Sequence, residues 1–156
     1  MKTANEHYKV FRYEPIRFIT YNKLDFIVGN IIKYICRYPY KGQAESDLKK
    51  IYDYMMMILE FGSDCFIKED SLQEFFRKND LTKNQRRMLW HLYRYLHTGR
   101  NKYHSEVLKR VKCELERVNE PKKDIIQKVY EAVNTNYGYV AVKEIIEKYE
   151  ELVDKV

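Results

Sequence analysis

The segment from Phe26 to Arg37 constrains the fold most, because polar residues recur in it at helical spacing within an apolar run. Asn30, Lys33, Tyr34 and Arg37 form one stripe on a helix of about 3.6 residues per turn. The other positions are mostly Ile, Val, Phe and Cys, which are normally buried against neighbouring helices. Burying a cation without a counter-charge is costly. The stripe therefore predicts an acidic side chain or a bound anion beside Lys33 and Arg37.

The rest of the chain predicts an all-α protein. Helical periodicity and helix start and stop signals recur, no alternating strand pattern is sustained, and the 156 residues include only five Gly and three Pro. We expect a compact bundle of about six or seven helices, built on an N-terminal antiparallel helical hairpin. Residues 1–62 would form the hairpin region, and residues 63–156 a helical extension packed on it, together one compact domain.

Local signals predict where several helices begin and end. Asp25 suits an N-cap, and Gly62 and Gly99 suit C-terminal caps. Two capping-box patterns, Ser71 with Glu74 and Thr82 with Gln85, predict two further helix starts. Pro121 predicts a break between a helix at 105–118 and a helix at 121–133. A last helix is expected at 140–153.

The cysteines and the N-terminus indicate a cytoplasmic protein. Cys36, Cys65 and Cys113 are odd in number and widely spaced, without the Cys and His spacing of a zinc site. We therefore expect reduced thiols and no metal site. The N-terminus lacks an apolar signal region, and no apolar run approaches the length of about 20 residues that spans a bilayer.

The hairpin brings a first group of candidate residues together. In an antiparallel arrangement the end of the first helix lies beside the start of the second, so Arg37 and Lys41 can approach Asp47, with Lys50 one turn further on. One interpretation is a salt bridge that fastens the hairpin. The other is that Asp47 orients a cation while the excess positive charge binds a phosphate. The spacing favours neither.

A series of short motifs resembles a family of small phage proteins, the SaV-like or nucleotide-kinase-like proteins. The series comprises His7-Tyr8, Glu14-Pro15, Phe26, Gly29-Asn30, Lys33-Tyr34, Arg37, Lys41 and Asp47-Leu-Lys-Lys50, with Tyr54 following, and it covers about residues 5–60. The family includes a deoxynucleoside monophosphate kinase that lacks a P-loop. The resemblance implies phage origin, a helical core and a nucleotide-phosphate site at Asn30, Lys33, Arg37, Lys41 and Asp47, with His7 and Tyr8 nearby.

A second group of candidate residues forms a basic, aromatic surface. Residues 82–112 hold nine Lys and Arg against one Asp or Glu. Its members are Lys83, Arg86, Arg87, Trp90, Arg94, His97, Arg100 and Lys102, with Tyr93, Tyr95 and Tyr103 between them. Such a surface could follow nucleic-acid phosphates and stack a base, cover an acidic protein surface, or simply be a solvated face.

These observations lead to three functional expectations. The first is a phage-encoded protein that binds a nucleotide or other phosphate ligand, with nucleoside monophosphate phosphorylation as the associated activity. The second is a non-catalytic protein that modulates a host factor, such as a defence nuclease, through residues 63–156. The third is nucleic-acid binding through residues 83–103. Whether the chain is an enzyme stays open, and no cofactor is indicated. The Met and Tyr surfaces suit a homo-oligomer.

Overall fold

Helix α2 (Phe26–Arg37) lies at the centre of the first part of the fold. In the computed structural model, which describes residues 8–40 and 42–133, it packs against α1 (Pro15–Tyr21), α3 (Ala44–Phe61) and α5 (Lys83–Thr98). The remaining helices are α4 (Glu69–Lys78) and α6 (Asn101–Val133). The described residues contain no strand, so the all-α prediction is confirmed. The chain divides into two compact units, residues 1–114 and 115–156.

Helices α2 and α3 form the antiparallel hairpin that the sequence predicts. Arg37, at the end of α2, bonds to Asp47 in the first turn of α3. Phe26, at the start of α2, packs edge-on against Tyr54, with ring centroids 6.0 Å apart. The two helices therefore run in opposite directions along a shared contact surface.

Most apolar positions of α2 are buried as expected, whereas Phe26, in its first turn, is 74% exposed. Val28, Ile31, Ile32 and Ile35 have no exposed surface. The amide of Gln85 on α5, which is itself fully buried, donates to the carbonyl oxygens of Ile35 and Cys36 at 2.9 and 3.2 Å. These carbonyls lie in the last turn of α2, where the helix itself supplies no donors. Gln85 thus completes the end of α2 and ties α5 to it.

Four of the predicted helix ends are confirmed. The Asp25 carboxylate accepts the Val28 N–H at 2.9 Å and caps α2. Thr82 and Gln85 form the reciprocal capping box of α5. The N–H groups of Gly62 and Gly99 close the last turns of α3 and α5, both with positive φ. Local chemistry is sufficient to place these ends.

The predicted capping box at Ser71 is wrong, because α4 begins earlier and Ser71 lies inside it. Asn22, at the end of α1, accepts the backbone N–H of Lys68 at 2.9 Å and donates to the Ser71 hydroxyl at 2.8 Å. A side chain distant in sequence therefore fixes the start of α4, and the Ser71 hydroxyl is used for a tertiary contact.

The predicted helix break at Pro121 is also wrong. Helix α6 begins at Asn101 and continues through Pro121 to Val133. An internal proline removes one backbone hydrogen bond and costs roughly 3 kcal/mol, which a long helix can absorb. The predicted helix at 140–153 lies outside the described residues.

Candidate functional site

A cavity of about 510 Å³ lies between α1 and the first half of α2. Its volume falls within the range of small-molecule sites. Gly29 explains the close approach of the two helices, because a Cβ there would lie 3.2 Å from the Cγ2 atom of Ile19. The lining combines an apolar wall with a polar margin: Tyr8, Glu14, Pro15, Ile16, Ile19, Leu24, Asp25, Phe26, Gly29, Asn30 and Lys33.

Lys33 provides the cation of the cavity. Its ammonium donates to the Asn30 side-chain oxygen at 2.7 Å and lies 4.4 Å from the centre of the Tyr34 ring. The Asn30 amide nitrogen in turn donates to the Phe26 carbonyl at 2.7 Å, which fixes the orientation of the side chain. Within the part of the chain that the structure describes, no carboxylate pairs with Lys33. Neutral polar and aromatic groups therefore position the ammonium without neutralising its charge.

Tyr8 connects the cavity to the buried ion pair. Burial raises the pKa of the Tyr8 phenol, and the nearby Arg37 guanidinium opposes that rise. Since the ordinary phenol pKa is about 10, the group stays protonated at neutral pH. It therefore contributes a neutral hydroxyl to the cavity wall.

Two carboxylates border the cavity away from Lys33's polar contacts. Asp25 accepts the Val28 N–H through one oxygen and the Ser63 hydroxyl, at 2.5 Å, through the other. Glu14 lies 3.5 Å from the Arg17 guanidinium. Carboxylate oxygens accept hydrogen bonds, so these two groups could receive hydroxyl or amino donors of a ligand.

Arg37 and Asp47 form a bidentate ion pair. The guanidinium Nε donates to one carboxylate oxygen at 2.9 Å and a terminal nitrogen donates to the other at 2.6 Å. The Asp47 side chain is fully buried and that of Arg37 is 12% exposed. This hydrogen bonding raises the pKa of the Arg37 guanidinium further. The predicted approach of Arg37 to Asp47 is confirmed, and the pair fastens the hairpin.

Three cations of the hairpin lie around the buried Tyr34 ring. Lys33, Arg37 and Lys50 lie 4.4, 4.7 and 5.1 Å from its centre. Tyr54 of α3 stacks on it with centroids 6.0 Å apart. A ring face attracts cations through its quadrupole. The ring therefore explains how three cations can share this surface, although within the described hairpin one of them, Arg37, is paired with a carboxylate, that of Asp47.

The structure thus divides the predicted phosphate site into two adjoining parts. Tyr8, Asn30 and Lys33 line the cavity, whereas Arg37 and Asp47 do not line it and pair with each other. Tyr34 stacks on Tyr54, and Lys50 lies over the Tyr34 ring. His7 and Lys41 lie outside the described residues.

Sequence reasoning did not assign the apolar wall of the cavity to a ligand. Ile16 and Phe26 are 63% and 74% exposed, although their residue types favour burial. Gly29 gave the one usable signal, because a glycine within a helix indicates the close approach of another group. The sequence identifies Glu14 and Phe26 only as members of the motif series and Asp25 only as a helix cap.

The basic surface predicted at residues 83–103 lies on α5 and the start of α6. Arg86, Arg87, Arg100 and Lys102 are exposed, Trp90 is 40% exposed and Arg94 is half-buried. Arg94 donates to the Tyr103 hydroxyl at 3.0 Å. This bond joins α5 to the start of α6, whereas the Arg86 guanidinium donates to the carbonyl oxygens of Leu81 and Phe76.

Residues 8–40 and 42–133 contain neither a metal-binding group of side chains nor a membrane-spanning helix. No group of three or more His, Cys, Asp and Glu side chains is arranged to hold a metal ion. No helix there has the length and apolar character needed to cross a membrane.

The N-terminal part of the chain is similar to a known protein family. Residues 2–56, about a third of the chain, match the family described as a protein of unknown function, DUF3310. The matched segment contains α1, α2 and most of α3, and hence every residue that lines the cavity. No curated protein and no solved structure matches the chain.

Proposed function

We propose that the chain binds a small organic phosphate of the nucleotide class in the cavity between α1 and α2. The observation that supports this most directly is the half-buried Lys33 ammonium at the cavity margin, which has no carboxylate partner among the described residues. A phosphate would supply the missing negative charge, and charge-assisted hydrogen bonds to phosphate are among the stronger polar contacts. Asn30 and the Tyr8 phenol lie on the same margin.

The apolar wall of the cavity is suited to bind the part of the ligand that is not phosphate. Phe26 offers an exposed ring, backed by Tyr54, on which a base can stack. Ile16 and Ile19 extend that apolar surface. Glu14 and Asp25 can accept hydrogen bonds from the hydroxyl or amino groups of a nucleoside. A volume of about 510 Å³ accommodates more than a phosphate ion alone, which favours a nucleotide.

Titration calorimetry with nucleoside mono- and triphosphates, the free nucleosides and inorganic phosphate tests the proposal. We expect a nucleotide to bind more tightly than either its nucleoside or phosphate. Lys33→Met should weaken this binding by about 1.5–3 kcal/mol, the usual contribution of a hydrogen bond to a charged group. That corresponds to a roughly 10- to 150-fold higher Kd.

Lys49→Met is the matched control, because it removes the same charge from an exposed position of α3. Lys49 pairs with Glu45 at 3.0 Å and does not line the cavity. It should leave the affinity unchanged. Absence of nucleotide binding by the wild-type chain, or equal affinity of the Lys33→Met variant, would contradict the proposal. Binding of inorganic phosphate as tight as that of nucleotides would exclude the nucleotide class.

The proposal extends to phosphoryl transfer on the strength of the sequence resemblance. Phosphoryl transfer depends mainly on positioning and on neutralising the charge of the transferred group. Lys33 is suited to the second role. Incubating the full chain with nucleoside monophosphates, ATP and Mg²⁺ and measuring diphosphate formation tests this step. A rate equal to that without protein would limit the function to binding.

A further inference from the structure

Helix α5 differs from its neighbours in how its charges are balanced. Exposed cations on three other helices pair with carboxylates of the same helix: Lys49 with Glu45, Lys78 with Glu74 and Lys109 with Glu106. Helix α5 carries four Lys and Arg residues and contains no Asp or Glu. Its positive charge is therefore not neutralised along the helix.

Three of the four cations of α5 form one narrow stripe around the only tryptophan of the chain, and the fourth, Arg86, donates to the carbonyl oxygens of Leu81 and Phe76 beside it. At about 100° per residue, Lys83, Arg87, Trp90 and Arg94 fall within a sector of about 60°. The opposite face, which includes Met88, Leu89 and Leu92, is buried. The stripe is about 16 Å long at a rise of about 1.5 Å per residue. Lys83, Arg87 and Trp90 are exposed on it, and Arg94 is half-buried.

Two members of the stripe are held in place and two are available. Arg94 bonds to the Tyr103 hydroxyl, and its guanidinium lies 5.2 Å from the centre of that ring. Lys83 and Arg87 are exposed, and within the described ranges neither makes an ion pair or a side-chain hydrogen bond. Arg100, just beyond the end of α5, is also exposed. Along the chain, the free cations therefore occur both before and after Trp90.

The Trp90 ring gives the surface its chemical selectivity. It is 40% exposed and is supported from below by Tyr93, with ring centroids 5.2 Å apart. A rigid, partly exposed indole between cations can stack a base while Lys and Arg contact the adjoining phosphates. An acidic protein surface would use the cations but would not need an exposed flat ring.

We propose that the α5 stripe is a binding surface for single-stranded nucleic acid. Trp90 stacks on a base, and Lys83, Arg87 and Arg100 contact the phosphates beside it. This surface is separate from the cavity between α1 and α2, and it requires no residue of that cavity.

Because Trp90 is the only tryptophan, its fluorescence reports directly on the proposed contact. Titrating the full chain with a single-stranded oligodeoxythymidylate should quench the emission to saturation. The logarithm of the binding constant should fall with the logarithm of salt concentration with a slope of about −2, as expected for three phosphate contacts. Arg87→Ala should reduce that slope by about 0.7.

Variants distinguish stacking from charge alone. With a labelled oligonucleotide and an anisotropy readout, Trp90→Leu should weaken binding about tenfold or more. Arg77→Ala is the control, because Arg77 is an exposed cation on α4 that lies within 4.0 Å of Glu74. It should leave the salt slope unchanged. Lys33→Met should also leave binding unchanged, which separates this surface from the proposed nucleotide site.

Three outcomes would overturn the proposal. The first is the absence of quenching or binding at low salt. The second is an equal salt slope for the Arg87→Ala and wild-type chains. The third is equally tight binding of a polyglutamate peptide, which would assign the stripe to an acidic protein partner.

Discussion

The buried ion pair between Arg37 and Asp47 predicts an asymmetric loss of stability. Arg37→Gln would leave a fully buried carboxylate without its counter-charge, and removing one partner of such a pair costs about 3–5 kcal/mol. Asp47→Asn would leave a guanidinium that is 12% exposed and lies 4.7 Å from the centre of the Tyr34 ring. Because water and the ring still reach that cation, we expect a smaller cost, about 1.5–3 kcal/mol.

Urea denaturation followed by circular dichroism measures both effects. A domain of this size has a total stability of about 5–15 kcal/mol, so Arg37→Gln should lower the transition midpoint strongly while the slope stays constant. Replacing both residues with apolar ones, Arg37→Met with Asp47→Leu, should cost less than Arg37→Gln alone, since no buried charge remains. A cost below about 1 kcal/mol for Arg37→Gln, or a larger cost for Asp47→Asn, would refute this reasoning.

Three further predictions concern the packing around α2 and α5. Gly29→Ala should raise the free energy of unfolding, measured in urea, by about 0.5 kcal/mol, because Ala has a higher helix propensity than Gly. The same substitution should weaken nucleotide binding in calorimetry, because the new Cβ would push Ile19 into the cavity. Burial lowers the pKa of His91 from its ordinary value of 6.5, so the unfolded chain binds more protons below that value. The free energy of unfolding should therefore have its full value above about pH 6.5 and decrease as the pH falls below it. Urea midpoints measured against pH should show a shallower decrease for His91→Gln than for the wild-type chain. Gln85→Leu should cost about 1–3 kcal/mol in the same assay, because two buried α2 carbonyls lose their donor.

The sequence predicts the parts of the fold that depend on local chemistry. Asp25 caps α2 and Thr82 caps α5 through hydrogen bonds to residues three positions away. Such short-range patterns can be recognised in the sequence. The start of α4 depends instead on Asn22, which is 46 residues from its partner Lys68. The break predicted at Pro121 fails for a different reason, since the cost of one internal proline is small beside the remaining bonds of a 33-residue helix.

The site was predictable only in part. Residue spacing identifies which side chains share a helix face, but it does not tell how deeply each of them is buried in the folded chain. The stripe on α2 correctly implied an acidic partner, and Asp47 supplies it to Arg37. The cavity depends on the approach of α1 to α2 at Ile19 and Gly29, a contact that periodicity does not specify. Hence its apolar wall became visible only in the folded chain.

The different fates of Arg37 and Lys33 follow from the chemistry of their head groups. A planar guanidinium can bond both oxygens of one carboxylate at once, whereas an ammonium acts as a point charge with separate donors. In the described hairpin, Asp47 uses both oxygens for Arg37. Lys33 is left with a neutral acceptor, Asn30, and the face of Tyr34, which orient its ammonium without cancelling its charge. The pair that stabilises the hairpin thereby leaves the cavity with a positioned cation, which is the property that anion binding requires.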